Sequence, residues 1–214
     1  MDKYKVAIVI PAFNEDATIF NIVQSVKKYG TVIVVDDYST DGTGSTALKA
    51  GAIVIRHKKN KGYDGALNSG FSKAEKLKCS LVITFDADGQ HNAQVLGEFI
   101  ELIENGAGVV IGIRDKFQRV SEYIFSWASR RKWGISDPLC GMKAYHIDVY
   151  NKLKGFDFDR LIGTELCVFG VKSGFKVVQI PIDTIERKDN PRFGNRMTAN
   201  MKILRALFLL INKY

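Results

Sequence analysis

Three short apolar runs each stop at a cluster of polar side chains, and this repeated ending restricts the fold more than any other feature of the chain. Residues 6–10 pass into Pro11-Ala-Phe-Asn-Glu15, residues 32–35 into Asp36-Asp-Tyr-Ser-Thr-Asp-Gly-Thr43, and residues 81–85 into Asp86-Ala-Asp-Gly-Gln-His91. Short Val- and Ile-rich runs bounded by turn residues read as buried strands. The intervening segments have helical spacing. Ile19, Ile22, Val23 and Val26 line one face of 17–28, and 41–50 and 65–77 form two further helical segments. A strand is expected at 53–55. Asn92 is placed to cap a helix reaching Glu104, with Val95, Leu96, Phe99, Leu102 and Ile103 on its buried face, and 108–113 returns as a strand. Strands separated by helices of about 10–15 residues imply right-handed βαβ crossovers and a mainly parallel sheet flanked by helices. Open sheets of that kind bind ligands beyond the carboxyl ends of their strands, where the three polar clusters fall.

Asp86 and Asp88 are the first candidates for chemistry. Residues two apart in a continuing strand point the same way, but a chain leaving the sheet at Gly89 is free to re-aim both carboxylates at one ion. Hard oxygen ligands suit Mg²⁺ or Mn²⁺, which usually bind through one or two carboxylates and the phosphates of a substrate. A diphosphate held at a strand end is the chemistry this predicts. Taken alone, Asp-x-Asp also reads as a solvated turn, because Asp and Gly are turn residues. Two further strands with the same kind of ending weigh against that.

With Asn60-Lys-Gly-Tyr-Asp-Gly-Ala-Leu-Asn68 and Asp137-Pro-Leu-Cys-Gly-Met-Lys143 added, these segments resemble the inverting nucleotide-sugar glycosyltransferases of family 2 with the GT-A fold, and among them the dolichol- or polyprenyl-phosphate mannose synthase-like group. The resemblance spans nearly the whole chain. It implies an α/β GT-A domain and a GDP- or UDP-linked sugar donor. For the nucleotide it implies Pro11, Phe13, Glu15 and Asp37, with Asp86 and Ala87 beside it. For the metal, Mg²⁺ or Mn²⁺, it implies Asp86, Asp88 and Gln90, with Asp88 also taking part in catalysis. The acceptor it implies is a polyprenyl or dolichyl phosphate. A saccharide hydroxyl in cell-surface polysaccharide synthesis is the alternative acceptor.

The half after residue 114 is richer in charge and aromatics. Growing charge on a leaving diphosphate is commonly met by metal and guanidinium groups. Arg114 stands where family members carry an arginine, and either Arg130 or Arg131 matches the next one. The segment from Arg119 to Trp133 also reads as an amphipathic helix whose basic residues are simply solvated. Glu165 stands where hydroxyl-directed transferases often carry an acidic pair, here Thr164-Glu165. An ionised phosphate acceptor needs no general base. Glu165 is either an acceptor-side or metal-proximal residue, or a helix N-terminal carboxylate stabilised by the helix dipole. Arg192 and Arg196, in a glycine-containing basic loop, are candidates for donor and acceptor phosphates. From Met201 the chain is dense in apolar residues with Lys202, Arg205 and Lys213 among them, and is either a docked terminal helix or an interfacial one on a membrane.

A single domain is expected over 1–214, with a nucleotide-binding half at 1–114, an acceptor-side half at 115–196 and a C-terminal amphipathic helix at 197–214. A 46% hydrophobic and 25% charged composition is that of a globular chain. Lys and Arg outnumber Asp and Glu by 31 to 23, giving +8 and favouring an anionic partner. With the resemblance, that partner is a nucleotide and a lipid phosphate, with a membrane surface possible, and not nucleic acid. Oligomeric state has no signature here. Cys79, Cys140 and Cys167 have neither zinc-ligand spacing nor a disulfide pattern, and the first apolar run is too short for a signal peptide. No stretch approaches the about 20 apolar residues of a spanning helix. A cytoplasmic protein, peripheral on the inner face of the membrane, is the expectation. His57 and His146 are read as surface or satisfied core residues, and His91 as an outer neighbour of the metal. A haloacid-dehalogenase-type phosphatase would place its Asp-x-Asp on the first strand, and a dinucleotide-binding dehydrogenase would have Gly-x-Gly-x-x-Gly where Pro11 to Glu15 stands. A basic membrane-binding module without enzymatic activity is the remaining alternative.

Overall fold

The computed structural model describes residues 5–89, 92–183 and 196–214, with Arg196 described through its backbone alone. Elements β1 (Val6–Ala12), α1 (Asp16–Val26), β2 (Thr31–Asp36), α2 (Thr43–Lys49), β3 (Ile53–Arg56), α3 (Gly62–Lys76) and β4 (Leu81–Thr84) alternate through the first part of the chain. They are followed by α4 (Leu96–Glu104), β5 (Val109–Arg114), α5 (Val120–Trp133), β6 (Lys143–His146), α6 (Ile147–Leu153), α7 (Glu165–Lys172), β7 (Val177–Ile182) and α8 (Arg196–Lys213). The strands form one sheet in the order β3-β2-β1-β4-β6-β5-β7.

Every strand pairing is parallel except those of β6, which runs antiparallel between β4 and β5. β6, Lys-Ala-Tyr-His, has no counterpart in the sequence-based expectation, because it lacks the Val- and Ile-rich run that marks β3 and β4, strands of the same length. The long apolar strands are buried on both faces, as parallel strands under crossover helices must be. Ala7, Val9, Ile33, Val35 and Val82 face one core with Phe71, Phe125, Phe156 and Ile203. Ile8, Ile10, Val32, Val34 and Ile83 face the other with Ile19, Val23 and Phe99. On the first side α3 lies so close to β1 that a Cβ on Gly70 would sit 2.2 Å from Val9 Cγ1. Only glycine permits that approach.

Element boundaries shift where capping outranks periodicity. The second helix starts at Thr43 rather than Asp41, because Asp41 Oδ1 accepts from Thr43 N at 3.0 Å and stands before the helix. Asn92 Oδ1 accepts from Gln94 N at 2.9 Å and opens a 3₁₀ turn, Ala93–Val95, that leads into α4. The third helix begins at Gly62, ahead of its first buried side chain, Ala66.

Register determines where the strand ends meet. Ala12 lies opposite Asp36, Asp36 opposite Arg56, Val9 opposite Thr84, and both Thr84 and Ile111 opposite Lys143. The carboxyl ends of β1, β2, β4 and β5 therefore share one rim with the start of β6. Strands β2 and β3 lie to one side of β1 and β4 to the other, which makes the gap between β1 and β4 the switch point where such sheets form a ligand crevice.

Candidate functional site

The loops after β1 and β2 are laced together at this rim. Asn14, with φ of 55°, accepts from Thr40 N at 2.8 Å, its own N–H donates to Ser39 Oγ, and Glu15 N donates to Thr43 Oγ1 at 2.8 Å. Thr18 Oγ1 bridges Glu15 Oε2 and the carbonyl of Ala87, tying the β1 loop to the Asp86 turn. Glu15 and Ala87 are buried, Pro11 is half-buried, and the Phe13 ring is 39% exposed. The loop that carries Pro11, Phe13 and Glu15 and the turn that carries Asp86, Ala87 and Asp88 thus meet at one rim of the sheet.

Asp37 is buried and already occupied. Its Oδ1 accepts from Lys61 N at 2.8 Å and its Oδ2 from Gly62 N at 2.7 Å, at the N-terminus of α3, where backbone donors and the helix dipole favour a carboxylate. His57 Nδ1 lies 2.6 Å from the same Oδ1, and His57 Nε2 lies 2.8 Å from Ser69 Oγ. His57 is therefore a satisfied buried histidine, as its residue type suggested, and it touches a candidate nucleoside residue, which the sequence did not suggest. Asp36 accepts from Ser39 N at 2.9 Å and lies 3.6 Å from Arg56 Nε.

Asp86 is half-buried two residues past the end of β4, and Gly89, with φ of 75°, takes a left-handed backbone conformation in the turn that carries Ala87 and Asp88. Tyr63 donates its hydroxyl to Asp86 Oδ1 at 3.3 Å. Burial, then the neighbouring Asp86 charge, push the Tyr63 phenol well above its usual range, so the group stays protonated and donates. On the opposite side a Cβ on Gly141 would lie 1.7 Å from Asp86 Oδ2, so the loop before β6 closes directly on the carboxylate. Among the described residues no three His, Cys, Asp or Glu side chains converge into a complete metal cage. Two carboxylates suit an ion whose shell is completed by phosphate oxygens and water. Gln90 lies outside the described residues, as do His91 and Arg192.

Arg114 is held between two buried carboxylates. Its Nε and Nη2 bind Asp137 at 2.8 and 3.0 Å, and its Nη1 lies 3.2 Å from Glu122. Burial opposes the charge, but the Asp137 hydrogen bonds and the charges of Asp137 and Glu122 outweigh it and keep the guanidinium protonated. This fork fixes the loop whose Gly141 abuts Asp86. Arg130 and Arg131 are exposed on the last turn of α5, and Arg130 Nε donates to Ser136 Oγ at 3.3 Å.

Glu165 is the first residue of α7 and fully buried. Its Oε2 accepts from Phe158 N at 2.7 Å, and its Oε1 accepts from Tyr214 at 3.1 Å and lies 2.5 Å from Lys213 Nζ. Asp64 accepts from Gly163 N and Ile162 N, Asp157 from Leu161 N, and Lys143 Nζ donates to Gly163 O at 2.9 Å. Burial, then the charge of Asp64, push Asp157 up to about 7. The sequence singled out Glu165 but gave no role at this site to Asp64, Asp157, Lys143 or Lys213. Asp64 and Lys143 stood in the segments 60–68 and 137–143 and Lys213 in the terminal helix, whereas Asp157 had no signal.

Residues 7–153, more than half of the chain, match the family described as glycosyl transferase family 2. The chain belongs to that family. The transferase is 31% identical over 226 residues to an uncharacterized protein of Methanocaldococcus jannaschii, covering 98% of this chain and 93% of that one. It is 27% identical to the polyprenol monophosphomannose synthase of Mycolicibacterium smegmatis, covering 94% of this chain and 83% of the relative. It is 25% identical to a UDP-N-acetylglucosamine–dolichyl-phosphate N-acetylglucosaminyltransferase of Methanococcus voltae, covering 95% and 94%. Among solved structures it superposes on glucosyl-3-phosphoglycerate synthase of M. tuberculosis with a TM-score of 0.81 at 18% identity, covering 98% of this chain and 81% of that chain. The same enzyme in complex with Mn²⁺, UDP and phosphoglyceric acid gives a TM-score of 0.78 at 17% identity, covering 97% and 78%. At these identities the likeness establishes the GT-A fold and nothing finer. The family match ends before Glu165 and α8.

Proposed function

We propose that this family 2 glycosyltransferase moves a sugar from a nucleoside-diphosphate sugar onto a polyprenyl phosphate, with inversion, and that Asp86 and Asp88 hold the Mg²⁺ or Mn²⁺ that carries the donor diphosphate. The observation that carries the metal assignment is the strand-end position of the two carboxylates at the switch point, with Gly89 turning the chain and Tyr63 orienting Asp86. Gln90 joins them as a third candidate. When bound, the ion would take up charge developing on the leaving diphosphate. Pro11, Phe13, Glu15 and Ala87 line the nucleoside side. Asp37 acts there with its remaining lone pair, held in place by His57. Arg114, saturated by Asp137 and Glu122, is better suited to positioning the loop against Asp86 than to meeting a phosphate itself. That leaves Arg130, Arg131, Arg192 and Arg196 as the candidate phosphate arginines.

The acceptor reading rests on two supports. Relatives along nearly the full chain carry names that specify polyprenol, undecaprenyl or dolichyl phosphate acceptors. Among the described residues, Asp64, Asp137, Asp157 and Glu165 all accept hydrogen bonds from within the protein. A sugar hydroxyl needs a carboxylate to take its proton, whereas an ionised phosphate does not. Measuring the unfolding temperature with GDP, UDP and their sugars in the presence of Mn²⁺ identifies the donor, because a ligand that binds the native state raises it. Product analysis with that donor then tests the acceptor. Sugar on polyprenyl phosphate supports the reading, and sugar on a soluble saccharide alone replaces it.

A further inference from the structure

α5 and α8 lie side by side and run in the same direction. Ser121 Oγ donates to Asn200 Oδ1 near their starts, and Lys132 Nζ donates to Ile211 O near their ends. Each buries one face in the same core, α5 through Phe125 and Trp133, and α8 through Ile203, Ala206, Leu207 and Leu210. Each also carries a second, exposed apolar face. On α5 this face is Val120, Tyr123, Ile124 and Trp127, and on α8 it is Met197, Met201, Leu204, Phe208 and Ile211. Both series follow the three- and four-residue spacing of one helical stripe, opposite the buried one. Because both helices bury their other side in one core, the stripes form a common outer surface. A contiguous apolar surface of this kind marks an interaction site rather than scattered exposure.

The charges identify the partner. Arg130, Arg131, Lys202 and Arg205 are exposed on these helices. α8 contains no Asp or Glu, and the single one on α5, Glu122, is buried against Arg114 and Arg119. A second copy meeting this surface face to face would bring cation against cation, which is unfavourable. An anionic lipid surface meets both properties, taking the apolar stripes into the acyl boundary and the basic side chains at the headgroups. No described helix is long and apolar enough to cross a membrane, so the helices would lie flat. We infer that the α5–α8 surface docks this transferase in the plane of an anionic bilayer. This deepens the proposed reading, on which it rests for the acceptor: a phosphate on a long isoprenoid tail stays in the bilayer, and a docked enzyme meets it there.

The chain contains two tryptophans, Trp127, 66% exposed on this face, and Trp133, buried at 6%, so a change in emission on adding lipid reports Trp127. The test uses the full-length protein with vesicles of phosphatidylcholine alone and of phosphatidylcholine mixed with phosphatidylglycerol. The expected result is a blue shift and cosedimentation with the mixed vesicles and little of either with phosphatidylcholine. The doubly substituted Trp127→Ser, Phe208→Ser protein should cosediment at least about tenfold less, and Arg205→Glu should lose most of the preference for anionic lipid. Both substitutions are at exposed sites, and unfolding temperatures confirm that the fold is kept. An unshifted emission with no cosedimentation overturns the inference, as does a blue shift that appears on concentrating the protein without lipid, which would assign the face to a second copy. Sugar-nucleotide hydrolysis is assayed on the same samples. Hydrolysis without vesicle binding removes the docking surface and leaves the proposed function, and vesicle binding without hydrolysis does the reverse.

Discussion

His57 Nδ1 lies 2.6 Å from Asp37 Oδ1, while the other ring nitrogen reaches Ser69 Oγ in α3 at 2.8 Å. One imidazole thus links the end of β3, the carboxylate after β2 and the helix that begins beside them. Its replacement is expected to act on nucleotide affinity through Asp37. His57→Ala should weaken nucleotide binding about tenfold and destabilise the fold by about 1–3 kcal/mol, from the loss of its two buried hydrogen bonds, to Asp37 and Ser69. Calorimetry and urea unfolding measure the two. A stability loss with unchanged affinity would remove Asp37 from the nucleoside site.

Tyr63 offers a narrower test of the metal assignment. Tyr63→Phe deletes the hydroxyl that donates to Asp86 and little else, since the ring keeps its packing. A hydrogen bond to a charged group contributes about 1.5–3 kcal/mol, so the Mn²⁺ concentration for half-maximal turnover should rise about tenfold or more, with a smaller change in kcat. Equal losses in kcat at saturating metal, with no shift in metal requirement, would mean Tyr63 does not act through the ion.

Much of this arrangement was legible in the sequence. The buried parallel strands announced themselves because burial on both faces leaves an unbroken Val and Ile run, and the site followed because each run ended in carboxylates. Asp86 and Asp88 were singled out that way, whereas Glu15 and Phe13 were implied by the family resemblance, and the loops that carry all four lie at the same rim. Asp157 was not singled out, because a lone charged residue carries no periodicity, and the partners of Lys143 and Lys213, Gly163 and Glu165, were not legible because they lie far away in sequence. β6 was missed because Lys143 and His146 interrupt any apolar run, and its antiparallel insertion depends on a loop path that local pattern does not encode. Arg114 was found by position but not by environment. Asp137 and Glu122, the two carboxylates that hold it, became visible as partners only in three dimensions.

Asp157 gives the stability curve a definite sign. Its folded pKa, pushed up to about 7 by burial and then by Asp64, lies above its value in the unfolded chain. Between the ordinary carboxylate range and about pH 7, the folded state holds a proton that the unfolded state has released, so this group's contribution to stability falls as pH rises through that window. Asp157→Asn removes the charge and keeps an acceptor for Leu161 N. Its melting temperature relative to the parent should therefore rise from about pH 5 to about pH 8. A difference that does not change with pH contradicts the assignment.

Glu165 joins α7 to the end of α8 through Lys213 and Tyr214. Glu165→Ala leaves Phe158 N and the Tyr214 hydroxyl without their acceptor, and should cost about 2–4 kcal/mol in urea unfolding. Lys213→Ala, at a partly exposed site, should cost less. If Glu165→Ala is as stable as the parent but loses turnover, the residue belongs to the reaction instead.

The central claim is that Asp86 and Asp88 hold a divalent ion on the donor diphosphate, and it is tested most directly by turnover of the sugar nucleotide with and without Mn²⁺ in the parent and in Asp88→Ala. The account predicts that chelation abolishes turnover in the parent, that Mn²⁺ or Mg²⁺ restores it, and that Asp88→Ala, folded to the same melting temperature, loses at least about 100-fold, or about 2.7 kcal/mol of transition-state stabilisation, at every metal concentration. Parent-like turnover in Asp88→Ala, or full activity in chelator, would contradict it.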